Sequence, residues 1–258
     1  VDDLRNNFTR SVVTATRHAV LSWKFAAAAL AFCALLFLAG FDTILAAVTE
    51  NDPLWQGFHG QLIYNALSSD VILFAMPILC VLPYGAAYIE DIKTGYIKLY
   101  LVRTTRKNYI AGKFAGCFLS GGLVSVVGTL CAYGISTLIF SHLEEADDFG
   151  TAWLLELLPL LLRFFLSGGF WAFLGMLLST KMESKYVAYA SPFLFYYLLV
   201  ILQERYFSAL YVLNPEGWLL CGAEWVMGSW SAVAVVMVLT ILAFLLFSQS
   251  VKRRIELL

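Results

Sequence analysis

Six stretches of this sequence, residues 25–41, 71–89, 114–143, 164–180, 186–203 and 225–251, contain no Asp, Glu, Lys or Arg. A helix rising about 1.5 Å per residue needs about 20 apolar residues to cross a hydrocarbon core of roughly 30 Å. The six runs therefore predict six transmembrane helices. Composition agrees: 60% of the 258 residues are hydrophobic and only 14% are charged. A water-soluble fold of this size could not hide so much apolar surface. Barrel strands are short and alternate apolar with polar, which excludes a membrane barrel. The expectation is an all-α polytopic membrane protein, with residues 1–258 forming a single transmembrane domain. A polar segment precedes the first run and no A-x-A site follows it, so no cleavable signal peptide is expected.

Charge fixes the orientation. Arg5, Arg10, Arg17 and Lys24 precede the first run, and Lys93 to Lys113 carry six bases between runs two and three. Lys181 and Lys185 separate runs four and five, and Lys252, Arg253 and Arg254 follow run six. Fifteen of the 17 basic residues thus fall on one side, facing a side rich in Asp and Glu. By the positive-inside rule the basic side is cytoplasmic, with both termini there.

Between the spans, three segments are informative. In residues 1–22, Leu4, Phe8 and Val12 recur every four residues and Ala15 and Ala19 continue the face, with Arg5, Arg10 and Arg17 off it. This predicts an amphipathic helix in the inner interface. Residues 204–229 hold two apolar stretches, each too short to span, broken at Asn214-Pro215. Two half-helices re-entering from outside fit that pattern. Residues 53–66, with Trp55, Phe58 and Tyr64, read as a segment in the outer interface.

The third run is long, and Gly112, Gly116, Ser120 and Gly128 share one face of it. Small residues at that spacing let helix backbones approach, within a monomer or between subunits. Pro77 and Pro83 in run two, and Pro159 near run four, are predicted kinks.

Catalytic chemistry is hard to find. The chain has no G-x-x-x-x-G-K-[ST] phosphate loop, no H-E-x-x-H and no C-x-x-C. His18, His59 and His142 lack metal-ligand spacing, and the five cysteines form no disulfide framework. The basic clusters lack the interleaved aromatics of a nucleic-acid platform. No enzyme active site, no cofactor in this chain and no nucleic-acid partner are expected.

One polar position lies deep in a span. If helix four starts near Trp153, Arg163 sits about 15 Å along it. A charge at mid-bilayer costs about 2.5–3.5 kcal/mol on insertion scales, so it should face protein or water. Glu156, seven residues earlier on nearly the same face, and Asp70 at the outer end of helix two are its candidate partners. Together they mark either a structural tie or a polar point or gate on a translocation path.

The loop between runs two and three reads IEDIKTGYIKLYLVRTTRKNYIAGK from Ile89 to Lys113. Glu90, Gly95, Leu99, Leu101, Thr105-Arg106 and Lys113 resemble a pattern in the membrane subunits of ABC-type exporters of the type-2 permease family. There an acidic residue closes the second helix, a Gly and leucines follow, and a Ser-Arg-like pair and a Lys open the third. Tyr96 departs from the common Thr after the Gly, and no Pro precedes Thr105-Arg106. The resemblance covers the whole chain in layout. It implies a permease pairing with a second copy of itself or a related permease, in contact with membrane lipid. Each copy would carry a separate cytoplasmic ATP-binding subunit that holds ATP and Mg. It also implies that residues 90–108 form the coupling region. Glu90, Asp91, Ile92, Gly95, Tyr96, Ile97, Leu101, Arg103 and Arg106 would meet the ATPase there, with the loop's apolar residues exposed for docking. A bacterial inner (plasma) membrane is the expected location. The alternatives are an ion-coupled secondary transporter, disfavoured by the lack of a deep acidic residue, and a non-transporting immunity or sensor subunit.

Overall fold

The computed structural model describes residues 2–49, 54, 57–102, 104–144, 152–221, 225 and 229–255. Within the helices, the side chains of residues 2–7, 152–156, 229 and 255 lie outside the description. Helix is the repeating element throughout, and the only β feature among the described residues is an isolated bridge between Leu54 and Glu144. Backbone groups in hydrocarbon must be satisfied within their own segment, and a helix does this.

In order, the helices are α1 (Asp2–Val20), α2 (Trp23–Ala39), α3 (Phe41–Thr49), α4 (Phe58–Leu67), α5 (Asp70–Val81), α6 (Ala87–Lys93) and α7 (Tyr96–Leu101). Then come α8 (Arg106–Phe140), α9 (Ala152–Met182), α10 (Lys185–Arg205), a 3-10 turn (Tyr211–Leu213), α11 (Pro215–Leu220) and α12 (Ser229–Ile255). Four of these, α8, α9, α10 and α12, are each long and apolar enough to cross a membrane. Two bent pairs raise the number to six if each counts as one span: α1 with α2, bent by 56°, and α4 with α5, bent by 70°.

The bends have local causes. Ser22 ends α1 and caps α2, its hydroxyl accepting from the Phe25 N–H at 3.2 Å while donating to the Ala19 carbonyl at 2.7 Å. Between α4 and α5, the Ser69 hydroxyl takes the Ala66 carbonyl at 2.6 Å, closing the first helix as the second begins.

Run two corrects the expectation of one continuous helix over 71–89. The helix stops at Val81, turns through residues 82–86 and resumes as α6. Pro83 stands in that turn, where its missing N–H does no harm, whereas Pro77 lies within α5. Twelve residues of α5 give only about 18 Å of helix. Within the segment read as interfacial, residues 58–67 form α4, one face of which enters the core. Leu62, Ile63, Ala66 and Leu67 are buried against α8 and α2, and the polar Gln61 and Asn65 occupy the opposite, exposed face.

Helix α1 packs on α8 through small residues. A Cβ placed on Gly112 would sit 2.9 Å from the Ser11 hydroxyl, and one on Gly116 would sit 3.3 Å from the Ala15 carbonyl. Gly128 approaches Phe32 and Ala29 of α2 in the same way. The small-residue stripe on α8 therefore serves packing inside one chain. On α1, Ser11 and Ala19 are buried, Val12 and Ala15 half-buried and Phe8 exposed, so the packed face takes in Ser11 beside the C-terminal part of the apolar face read in the sequence.

At the acidic end, Glu144 ties the segment after α8 to the start of α4. Its carboxylate accepts the Gly57 and His59 backbone N–H groups, both at 3.0 Å, and lies 2.7 Å from His59 Nδ1. Burial opposes the charge, but these hydrogen bonds outweigh it and hold the carboxyl below its ordinary value of 4.5. A depressed acid contributes stability above its unfolded value and loses it as pH falls through the folded one. Thermal unfolding in detergent should therefore show a loss of stability below about pH 4.5, with Glu144→Gln less stable near neutrality by about 1–3 kcal/mol and flatter on the acid side. An unchanged acid limb in the variant would remove Glu144 from this role.

Candidate functional site

The polar chemistry converges at the opposite, basic end, where α6, α7 and the first turns of α8 meet α1. Gly95 makes the corner between α6 and α7 with φ 72° and ψ 4°, a left-handed conformation open to glycine at little cost. Thr105 caps α8, its hydroxyl accepting from the Asn108 N–H at 3.4 Å. That gives the Thr105-Arg106 pair a physical job: a hydroxyl residue starts the helix, and Arg106 follows exposed at its first position.

Two turns into α8, Lys113 points back under the loop. Its ammonium lies 2.7 Å from Asp91 Oδ2, donates to the Tyr84 hydroxyl at 3.2 Å and to the Ala87 carbonyl at 3.4 Å, and sits 4.9 Å from the Tyr84 ring centre. The Tyr109 hydroxyl donates to the same Asp91 oxygen at 2.7 Å. Burial keeps the Tyr84 phenol above its ordinary pKa despite the nearby ammonium, so it remains a neutral hydroxyl. The result is a closed buried ion pair with hydrogen bonds on both partners, which locks α6 to α8 across the loop.

Apolar packing completes the lock. Ile97 is buried with Tyr88, Ile89, Tyr109 and Ile110, and Ile92 and Leu101 lie half-buried against the same cluster. Ile97, Ile92 and Leu101 were expected to be exposed for docking. The structure corrects this, because the loop folds back on α8 and spends these side chains on its own core. Tyr96, Leu99 and Val102, at three-residue spacing on one edge, remain 48%, 71% and 86% exposed. Arg103 lies outside the described residues.

Further contacts tie α1 and the last helix to this end. The Ser11 hydroxyl donates to the Asn108 carbonyl at 3.1 Å and lies 2.9 Å from the Tyr100 hydroxyl. Glu90 sits half-exposed, 3.7 Å from Lys24 at the start of α2. On the far side, Arg254 pairs with Glu183 and donates to the Thr180 carbonyl at 2.7 Å. A cleft of about 690 Å³ opens between α1, the start of α2, and α6–α7, with Lys24 and Glu90 among its walls and the Asp91–Lys113 pair at its side.

The second set of expected site residues is only partly described. Arg163 is half-buried on α9, and its Nε donates back to the Pro159 carbonyl of its own helix at 3.4 Å. The Glu156 side chain lies outside the described residues, and Asp70 is exposed in the first turn of α5. Sequence reasoning missed Tyr84, Tyr109 and Lys24 as members of the site and gave Lys113 only a motif position. Asp91 and Lys113 are 22 residues apart, and only the fold-back of α6–α7 brings them together.

No curated protein matches this chain. A family model described as "Protein of unknown function (DUF2705)" matches residues 32–258, which takes in the whole α6–α8 assembly and every helix from the body of α2 onward. The chain belongs to the DUF2705 family.

Proposed function

We propose that this chain is the membrane subunit of an ATP-driven exporter, coupled to a separate ATP-binding subunit at its basic, cytoplasmic end. The observation that carries the reading is mechanical. The Asp91–Lys113 pair, Tyr109 and the buried Ile97 fasten α6–α7 to α8, a 35-residue helix about 52 Å long. Force applied to α7 then moves α8 as one piece. The exposed Tyr96, Leu99 and Val102 edge supplies an apolar surface for a partner to push on. In this reading α1 lies in the inner interface and α2 is the first of six spans, and the 3-10 turn and α11 are half-helices re-entering from outside. Trp218 of α11 stacks on Trp171 of α9, with ring centres 5.9 Å apart, and is 2% exposed, which is the protein cover such a segment requires. The permease works as a pair, with a second copy of itself or a related chain.

Two measurements test this. Single cysteines at Thr94, Glu145 and Ser184 on a Cys-less background should label from outside at 145 alone in intact cells; outside labelling at 94 would overturn the orientation. Co-purification should recover a nucleotide-binding subunit whose ATPase activity depends on both chains. Failure to recover any such subunit from the native membrane would sink the exporter reading.

Gly95→Val gives a sharper test of the coupling. A Cβ there meets no atom within 4 Å, so the substitution is sterically free, but the left-handed backbone costs a β-branched residue about 1–2 kcal/mol or more. We expect normal insertion with transport and chain-dependent ATPase activity reduced several-fold. Wild-type transport would show that the α6–α7 corner does not couple.

A further inference from the structure

The cleft beside α1 carries charges of both signs, and they are not equally satisfied. Asp91 and Lys113 hold each other at 2.7 Å. Lys24 and Glu90 face each other at 3.7 Å, with side chains 38% and 50% exposed, beyond a good hydrogen bond. His18 lines the same cleft. So does the start of α2, whose dipole favours an anion even though Ser22 already takes the Phe25 N–H. One wall thus offers a cationic pole and the facing wall an anionic one. A wholly anionic guest would meet Glu90, and a wholly cationic guest would meet Lys24.

We infer that this cleft holds the headgroup of an amine-bearing phospholipid, with the phosphate on Lys24 and His18 and the ammonium on Glu90. Insertion replaces one long ion pair by two charge-assisted contacts, each with a full partner. A primary ammonium suits the acidic pole because it has N–H groups to donate. A quaternary one has none and depends on open aromatic faces. The rings of Tyr84 and Tyr109 already meet Lys113 Nζ at 4.9 and 5.8 Å, and although Trp23, Tyr96, Tyr100 and Tyr189 also line the cleft, the primary ammonium is favoured by the Glu90 carboxylate, which can accept its N–H groups. The volume of about 690 Å³ falls within the usual range for small-ligand sites.

A lipid, rather than free phosphoethanolamine, follows from what adjoins the rim. Trp23 is 77% exposed there, at the level where an indole anchors a span. Along the same exposed face of α2 run Ala26, Ala27, Leu30, Ala34 and Leu38. Together they make an apolar face that leads from the cleft along a helix expected to lie in hydrocarbon. An acyl chain can lie along such a face, and a soluble ligand would leave it unused.

The site goes beyond the exporter reading and stands without it, because its test needs no ATPase. The full chain is placed in nanodiscs with a phosphatidylethanolamine bearing a photoreactive acyl chain, and labelled peptides are mapped. Labelling is expected within residues 23–38, displaced by unlabelled phosphatidylethanolamine at least about fivefold better than by phosphatidylcholine or phosphatidylglycerol, a difference of about 1 kcal/mol. Free phosphoethanolamine should displace little. Lys24→Gln and Glu90→Gln should each erase the preference. The exchanged variant, Lys24→Glu with Glu90→Lys, retains an ion pair for folding but reverses its direction, and should lose the preference as well. Equal displacement by all three lipids, or a wild-type preference in the exchanged variant, overturns the inference. Full displacement by free phosphoethanolamine overturns its assignment to lipid.

Discussion

Asp91→Ala should destabilise the chain by about 3–5 kcal/mol, the largest single-residue loss expected at the basic end. The reason is what it leaves behind. Lys113 is 8% exposed, and without Asp91 its ammonium keeps only the Tyr84 hydroxyl and the Ala87 carbonyl. The Tyr109 hydroxyl loses its acceptor in the same step. A buried ion pair gains little over a well-packed apolar pair, because both ions were first taken out of water, but half of such a pair is costly. The double variant Asp91→Leu with Lys113→Met should therefore recover most of the loss. Unfolding in detergent, run as a double-mutant cycle, reads this directly as a coupling of several kcal/mol. Additive losses would mean that the pair is solvated and does not fasten α6 to α8. If the double variant folds well yet fails in transport, the pair transmits motion as well as stability.

The long spans were legible because hydrocarbon imposes one requirement that composition alone reports. The helix over 152–182 and the one ending near Arg205 follow from charge-free runs and their flanking bases. The break at 82–86 was not legible. Run two is free of charge throughout, and Pro83 reads equally well as a kink within a helix or as a turn between two. Residues 58–67 were read from Trp55, Phe58 and Tyr64 as interfacial, which left their inward face unread. The stronger signal was Leu62, Ile63, Ala66 and Leu67 opposite Gln61 and Asn65, a helical period with a buried face. At the candidate site, the loop motif pointed to the segment where the polar side chains converge but misjudged its faces. Glu90 and Asp91 are neighbours in sequence, yet Glu90 faces the cleft rim and Asp91 the buried lysine. Which neighbour turns inward depends on where α8 lies, and local pattern carries no record of that.

A second large effect belongs to the crossing of α8 and α9, where glycines of one helix meet glycines of the other. A Cβ on Gly121 would fall 2.4 Å from the Ala172 Cβ and 2.9 Å from the Gly168 carbonyl. One on Gly122 would fall 2.5 Å from the Phe165 carbonyl, and one on Gly169 2.8 Å from the Phe118 ring and carbonyl. These neighbours are largely backbone, which cannot step aside as a flexible side chain can. Gly→Ala within a helix ordinarily gains about 1 kcal/mol in propensity. Overpacking typically costs about 1–3 kcal/mol and occasionally more, and the backbone contacts at Gly121 and Gly122 place these sites at the upper end. Gly121→Ala and Gly122→Ala should therefore each lower stability by about 2 kcal/mol net, or about 4–8 °C in Tm for a chain of this size. Gly122→Leu should prevent the helices from docking at all. Gly134 provides the contrast on the same helix, because a Cβ there meets nothing within 4 Å. Gly134→Ala should leave stability unchanged or raise it by about 0.5–1 kcal/mol. Equal effects at Gly122 and Gly134 would show that helix propensity, not close approach, governs α8. The predicted opposition of sign would show that the α8–α9 crossing, on which any motion passed up from α7 must turn, is held by the absence of side chains.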